Sequence, residues 1–137
     1  MEMISITENI KQKIKQYGVV NVVIAGATCS GKSTLANQLL TNFEGEVPVT
    51  VVKQDDYFKD ISEIPKVAQG YLTDSINAFH TYEFKQDVEQ LLTTGETFIP
   101  RYDVSQNIRI AKDVRVQSGV INIFEGLHTI ILLRSIE

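Results

Sequence analysis

The sequence predicts an α/β fold in which helices cover both faces of a parallel sheet, and three observations support this. Residues 19–25 are almost entirely apolar, as in a central parallel strand buried on both faces. The pattern G-x-x-x-x-G-K-[ST], typical of a phosphate-binding P-loop, follows directly from Gly26 to Ser33 and leads into a helical pattern. Strand and helix patterns then alternate along the chain. Together these features predict a three-layer αβα fold with a parallel central sheet.

Length and composition narrow the class of protein. A chain of 137 residues forms one domain, which we divide into a leading helix over 1–18 and a core over 19–137. With 43% hydrophobic and 22% charged residues it has the balance of a globular protein, and its net charge of −4 argues against a nucleic-acid or membrane-surface binder. We expect a cytoplasmic location, because the sequence has no signal-peptide pattern, no long apolar run and a single cysteine, Cys29.

The first eighteen residues predict an amphipathic helix that docks on the core. Ser5-x-x-Glu8 is a capping-box pattern for its start, and Gly18 ends the run. Its expected apolar face consists of Ile6, Ile10, Ile14 and Tyr17.

The remaining elements are predicted from the spacing of apolar residues. Two further helices should face the core, one with Leu35, Ala36, Leu39 and Leu40, the other with Phe84, Val88, Leu91 and Leu92 before Gly95. Residues 47–52 and 120–124 predict buried strands, whereas the alternation within 97–116 predicts a half-exposed strand or hairpin. Residues 57–80 have no sustained period, and a loop of that length is usually functional.

The P-loop pattern predicts binding of a nucleoside triphosphate. Gly26 and Gly31 allow the backbone to wrap with its N–H groups pointing inward, and the following helix aims its positive end at the same point. Lys32 can reach the β- and γ-phosphates, and the Ser33 hydroxyl can ligate Mg²⁺. The alternative is an ordinary glycine-containing turn. The expected ATP-binding residues are Gly26, Ala27, Thr28, Cys29, Ser30, Gly31, Lys32, Ser33 and Thr34.

Three carboxylates follow predicted strands, at the end of the sheet where ligands bind in open α/β folds. Asp55 and Asp56 come after the second strand, and Glu125 ends the last. Glu125 suits the acidic position that orients Mg²⁺, and an acid after the second strand can take a proton from an attacking hydroxyl. Each of the three can instead be a simple turn cap.

Five motifs in order resemble a known family. The P-loop is followed by 54–59 (QDDYFK), 74–79 (DSINAF), 100–103 (PRYD) and 124–126 (FEG). This order is similar to that of the uridine kinase and phosphoribulokinase family of P-loop kinases, which includes the nicotinamide riboside kinases. The resemblance covers about Val19 to Ile131.

The resemblance implies roles for individual residues. Asp55 matches the acid that takes the proton from the substrate hydroxyl, and Asp74 the carboxylate that holds the ribose hydroxyls. Tyr102 matches a tyrosine of the nucleoside pocket, and Arg109 falls where the family has an arginine. Glu125 matches the glutamate of the family's phenylalanine-glutamate-glycine strand end, and with Ser33 it is expected to place Mg²⁺. From the aromatic residues we also expect Tyr57 in the pocket, although core packing explains most such aromatics.

The sequence departs from the family pattern in two ways. Val104 and Asn107 replace a phenylalanine and the histidine that reads the pyrimidine, and Phe58 replaces a tyrosine. The family's kinases also continue some 70 residues or more past the glutamate strand, with an arginine-rich lid and the adenine contacts. We therefore expect this chain to be a C-terminally truncated form of a longer kinase; the alternative is that a partner supplies the missing part.

The sequence thus predicts an ATP- and Mg²⁺-dependent kinase that phosphorylates a primary hydroxyl of a nucleoside or similar small molecule. One alternative acceptor is a sugar phosphate or vitamin precursor. Another reading is a nucleotide-binding fragment without catalysis. The expected partner is a nucleoside-like small molecule, not a nucleic acid or membrane, and a homo-oligomer is left open.

Overall fold

Helices and strands alternate along most of the chain. The computed structural model describes residues 3–26, 31–64, 66–67, 70–71 and 75–134. Its helices are α1 (Met3–Tyr17), α2 (Lys32–Phe43), α3 (Thr81–Thr94) and α4 (Thr129–Leu133). Its strands are β1 (Val20–Ile24), β2 (Val49–Lys53), β3 (Lys66–Val67), β4 (Gly70–Tyr71), β5 (Glu96–Asp103), β6 (Ile108–Gln117) and β7 (Ile121–Glu125). Short 3₁₀ turns span Gln54–Tyr57, Ile61–Glu63 and Ile76–Ala78.

A parallel sheet carries the fold, as the sequence predicts. Within the described part of the chain its strands lie in the order β1–β7–β2. All five residues of β7 are buried, so the centre of this sheet is the last strand. The prediction that residues 19–25 form the central strand is wrong here, because β1 pairs only with β7 among the described strands and leaves Val23 41% exposed.

Two hydrophobic cores lie on opposite faces of the sheet and confirm the three-layer arrangement. On one face α1 packs on β1 and α2 packs on β7, and their shared core includes Ile10, Leu39, Phe43, Ile121 and Ile123. On the other face α3, α4 and the β5 strand pack on Phe124. Burying apolar surface on both faces of one strand is what fixes helices on either side of it.

The leading helix docks as expected but begins earlier than its sequence suggests. Ile10 is buried in the core, and Ile6 and Ile14 pack beside it. Helix α1 already includes Met3, so Ser5 lies inside the helix and the capping-box prediction is wrong. Tyr17 is 67% exposed, off the apolar face. Gly18 ends the helix in the left-handed conformation, with its N–H donating to the Ile14 carbonyl at 2.8 Å.

The other helices follow their predicted faces with one exception. Ala36 and Leu39 of α2 are buried, but Leu40 is exposed and Phe43 takes its place in the core. In α3 the residues Phe84, Val88 and Leu91 are buried with Leu92 packed beside them, and Gly95 closes the helix in the left-handed conformation.

The segment 97–116 is an antiparallel hairpin of β5 and β6, one of the two forms that the sequence predicts. Residues 57–80 are largely irregular where described, with two 3₁₀ turns and the small β3–β4 ribbon. Among the helices that the structure describes, none is long and apolar enough to cross a membrane.

Candidate active site

The register of the sheet brings the predicted site motifs to one edge. Glu125 of β7 lies level with Ile24 of β1 on one side and with Lys53 of β2 on the other. The chain leaves β1 directly into the P-loop and leaves β2 directly into the turn that carries Asp55 and Asp56. In parallel sheets this carboxyl edge is where ligands bind.

Within the P-loop motif the structure describes Gly26 and the chain from Gly31 onwards. Gly31 precedes α2 with φ +91°, a left-handed conformation that favours glycine. Its carbonyl accepts from the Leu35 N–H at 2.9 Å, and no acidic side chain lies in the first turn of α2. Gly26 is half-buried and Thr34 is exposed. The first turn of α2 therefore adds no negative charge to the positive end of the helix.

Several expected nucleotide ligands lie outside what the structure describes. Ala27, Thr28, Cys29 and Ser30 are outside the described residues, and so is the substrate candidate Asp74. Lys32 and Ser33 are placed by their backbone, in the first turn of α2.

The turn Gln54–Tyr57 presents two carboxylates. Asp55 is exposed and lines a cavity, whereas Asp56 is half-buried. Burial raises the pKa of Asp56; the positive charge of Lys53 opposes the shift, and the charges of Asp55 and Glu125 add to it. Asp56 therefore lies close enough to both Asp55 and Glu125 for their charges to act on it.

Glu125 is held at the carboxyl end of the central strand and is only 1% exposed. Within the described residues, no group of three or more histidine, cysteine or acidic side chains has the spacing of a metal site. Mg²⁺ is commonly held by one or two carboxylates together with substrate phosphates. Glu125 at the end of β7 therefore fits a Mg²⁺ shared with phosphate groups rather than held by protein ligands alone.

A close contact joins the ends of β2 and β7. A Cβ on Gly126 would lie 2.3 Å from the Cβ of Gln54, so only glycine fits there. The buried Gln54 side chain accepts from the His128 backbone N–H through Oε1 at 2.8 Å. The buried Thr129 hydroxyl donates to the carbonyls of Ile24 and Gly126. The strand end that holds Glu125 is thereby tied to the strand before the P-loop.

A cavity of about 290 Å³ opens beside Asp55. Apart from this carboxylate its lining is mostly apolar and aromatic, with Phe58, Ile61, Ile64, Tyr102, Val104 and Asn107. The two hairpin residues that depart from the family pattern, Val104 and Asn107, are both among them. An apolar cavity with a carboxylate at its wall is suited to an organic molecule that offers a hydroxyl.

Aromatic residues stiffen one wall of this cavity. Phe58 stacks on Phe79 with ring centroids 4.3 Å apart and lies 5.5 Å from the Tyr102 ring. The Tyr102 hydroxyl donates to the Lys59 carbonyl at 3.3 Å. Burial and the nearby charge of Asp60 raise the pKa of Tyr102, so it remains a neutral donor.

Two residues expected at the substrate lie elsewhere. Tyr57 is fully buried in the core against Phe84 and donates its hydroxyl to Asp87 at 2.8 Å, because the 3₁₀ turn points position 57 inward and position 58 to the cavity. Arg109 forms a bidentate ion pair with Glu83 of α3. In this structure its guanidinium therefore joins the hairpin to α3 rather than facing the cavity.

Some site residues were not found by sequence reasoning. Ile61 and Ile64 line the cavity from a segment without periodicity, so no spacing marks them. Gln54 sits directly before the two aspartates in sequence, but its neighbours give no sign that it would be buried.

The profile of the phosphoribulokinase/uridine kinase family matches residues 21–136. The chain belongs to this family. A uridine kinase of Clostridium perfringens is 36% identical over 107 residues, 76% of this chain and 50% of that protein. One of Clostridium novyi is 32% identical over 117 residues, 83% and 53% of the two chains. The chain thus spans about half the length of these relatives.

Solved structures share the fold. A protein from Silicibacter sp. TM1040, provisionally described as a fructose transport system kinase, superposes with a TM-score of 0.73 at 24% identity. The superposition covers 93% of this chain and 64% of that protein. The YGR205w protein superposes with a TM-score of 0.63 at 16% identity, covering 90% and 52%. Both bear out the α/β P-loop kinase fold.

Proposed function

We propose that this chain is the core of an ATP-dependent kinase that phosphorylates a primary hydroxyl of a nucleoside or a similar small molecule. The observation that carries the proposal is the register of the sheet: β1, which leads into the P-loop motif, β2, which leads into the Asp55 turn, and β7, which ends at Glu125, finish level with one another, and Asp55 lines an apolar cavity. Membership of the phosphoribulokinase/uridine kinase family supports it.

Asp55 is the group that takes the proton from the acceptor hydroxyl. It is exposed, lines the cavity and lies one residue beyond the buried Gln54 that anchors its turn. A hydroxyl bound in the cavity therefore has a carboxylate at its wall, and general-base help of this kind is worth about 10²–10⁴ in rate. Asp56 is more buried and is not among the residues that line the cavity, so it is not assigned this role.

The P-loop residues from Gly26 to Thr34 hold the phosphates, with the Lys32 charge and the positive N-terminal end of α2 attracting them. Catalysis then consists mainly of positioning and charge stabilisation, because phosphoryl transfer asks little covalent help from the protein. Ser33 and Glu125 would hold Mg²⁺, which neutralises charge on the phosphates when bound.

The acceptor occupies the cavity between the Phe58 wall and the hairpin tip. Tyr102 borders it directly, and Asp74 is retained as the residue that holds the acceptor's hydroxyls by family resemblance. Tyr57 and Arg109 support the site from behind, through Asp87 and Glu83. A cytoplasmic location and a homo-oligomer stay predictions.

The test is ADP release with Mg·ATP and a panel of uridine, cytidine, nicotinamide riboside, a sugar phosphate and no acceptor. It is run on the 137-residue chain and on a form extended by any coding sequence downstream. Acceptor-dependent ADP release that needs Mg²⁺, and is lost in Asp55→Asn, is expected. ATP binding without acceptor-dependent release in either form would favour a nucleotide-binding module, and release with the sugar phosphate alone would change the acceptor class.

A further inference from the structure

The turn that carries Asp55 is anchored at both ends by buried polar side chains. At its start, Gln54 is fully buried and its Oε1 accepts from the His128 N–H at 2.8 Å. At its end, Tyr57 is fully buried and its hydroxyl donates to Asp87 Oδ2 at 2.8 Å. Between these anchors lie Asp55 and Asp56, the two residues of the turn that reach solvent.

Asp87 is an unusual partner for a tyrosine because it is a carboxylate within the core. It is 5% exposed and projects from α3 among Val88, Leu91 and Phe84. Its second oxygen, Oδ1, lies 3.0 Å from the Lys112 Nζ of β6. A buried charge is costly unless it is paired and hydrogen-bonded, and here both of its oxygens are engaged.

The network continues to the hairpin. Lys112 also lies 3.0 Å from Glu83 Oε2, and Glu83 is paired in turn with Arg109. The Arg109 backbone N–H donates to Asp60 Oδ1 at 2.8 Å, just past the turn. Helix α3, strand β6 and the segment after β2 are therefore joined by charged groups.

We propose that Tyr57 and Asp87 are positioning residues, which hold the turn so that Asp55 faces the cavity. The inference rests on the proposed function, since it assigns Asp55 as the proton acceptor. A four-residue 3₁₀ turn has few internal hydrogen bonds, so its orientation depends on its anchors. Apolar packing alone would let the Tyr57 ring slide against Phe84, whereas the hydroxyl bond to a doubly held carboxylate fixes its depth and direction.

The variant that tests this is Tyr57→Phe, which keeps the ring in the core and removes only the hydroxyl. Its matched control is Tyr82→Phe, which removes the hydroxyl of an exposed tyrosine on α3 that contacts Gln86. Asp87 keeps its Lys112 partner in Tyr57→Phe, so the variant is expected to fold. Asp87→Asn is a second variant, since its amide oxygen can still accept from Tyr57.

Amide hydrogen exchange tests the anchoring of the turn, and steady-state kinetics test the positioning of Asp55. Amide hydrogen exchange over residues 54–58 should accelerate by about fivefold in Tyr57→Phe, the factor that one buried hydrogen bond supplies, and stay unchanged in Tyr82→Phe. In the form of the protein that phosphorylates an acceptor, kcat should fall roughly ten- to a hundredfold while the KM for ATP is unchanged. Asp87→Asn should lie between wild type and Tyr57→Phe in both.

Unchanged exchange in Tyr57→Phe would overturn the anchoring, and faster exchange with unchanged kcat would overturn the positioning role. A parallel loss of kcat and of ATP affinity would point to a general structural defect and also count against it. If wild type has no activity on any acceptor, the proposed function fails and the positioning role falls with it. The exchange result still decides whether the turn is anchored.

Discussion

Asp55 and Asp56 are adjacent in sequence but lie in different surroundings. Asp55 is exposed at the cavity wall, whereas Asp56 is half-buried with a pKa raised first by burial and further by its acidic neighbours. Of the two carboxylates, Asp55 is the one that lines the cavity, so a hydroxyl bound there can reach it. Substitution of each residue should therefore have a different effect on the rate of phosphoryl transfer.

We expect Asp55→Asn to lower kcat by about 10²–10⁴ with little change in ATP affinity, because the amide cannot take the hydroxyl proton. Asp56→Asn, the matched control, should be mild by comparison. Steady-state kinetics of both variants with the active acceptor measure this. The reverse ranking would place the proton acceptor one residue further along.

Lys32 gives a second test at the level of one side chain. Lys32→Ala removes a charge-assisted contact to phosphate of the kind worth about 1.5–3 kcal/mol, so nucleotide affinity should fall roughly ten- to a hundredfold. Titration calorimetry with Mg·ATP measures this, and circular dichroism checks the fold. Lys85→Ala, on α3, is the control that removes a lysine elsewhere. Unchanged ATP affinity in Lys32→Ala would contradict the P-loop assignment.

Single residues show the limits of reading the site from sequence. The motif identifies Asp55 because chemistry requires an acid after β2. It does not say whether Tyr57 or Phe58 faces the cavity, because that depends on how the 3₁₀ turn rotates after the strand. Arg109 was expected at the substrate, and its pairing with Glu83 is a contact between residues 26 positions apart.

At the scale of elements, a cluster of ion pairs joins α3 to the β5–β6 hairpin. Glu83 accepts hydrogen bonds from Arg109 and Lys112. The bond from Arg109, helped by that from Lys112, lowers the pKa of Glu83 from 4.5 to about 2, although partial burial acts to raise it. The folded state therefore binds a proton at Glu83 less readily than the unfolded state. This ion pair stabilises the protein fully above about pH 4.5, and its contribution is lost as the pH falls towards 2.

We therefore expect Glu83→Gln to be less stable than wild type at pH 7, and the difference to shrink as the pH falls from about 4.5 to about 2. Urea unfolding at a series of pH values measures this. Glu89→Gln, an exposed carboxylate on the same helix, should show little difference at any pH. A difference for Glu83→Gln that stays constant across the acid range would contradict the assignment.

Elements with a strong local pattern were predictable. The alternation in 97–116 and the glycine after α3 are properties of a few neighbouring residues, and the hairpin and helix end follow them. The start of α1 was not predictable, because Ser5 and Glu8 have the spacing of a capping box but lie inside a helix that already includes Met3. Nor was the edge position of β1, since an apolar run marks a buried strand but not its place in a sheet.

At the scale of the whole molecule, β7 unites the two cores. Ile121 and Ile123 belong to the core that α1 and α2 cover, whereas Phe124 belongs to the core that contains residues of α3 and α4. Sequence analysis predicted the strand but not its central place, because strand order depends on pairings between segments about 70 to 100 residues apart.

Phe124→Ala should destabilise the protein by about 3–5 kcal/mol, since it empties a fully enclosed site. Val104→Ala, at a 78% exposed position on the hairpin, should change stability by no more than about 0.5 kcal/mol. Chemical denaturation followed by circular dichroism measures both. A loss below about 1 kcal/mol in Phe124→Ala would mean that the second core is not held through this strand.

The shared strand has a consequence for how the protein melts. Neither layer can open without stripping apolar cover from β7 and so weakening the opposite layer, which makes the two layers one cooperative unit. Glu125 is the last residue of that strand, so it should lose its position in the same step in which either layer unfolds. A melting curve recorded by any probe of the fold should therefore coincide with the loss of nucleotide-binding capacity.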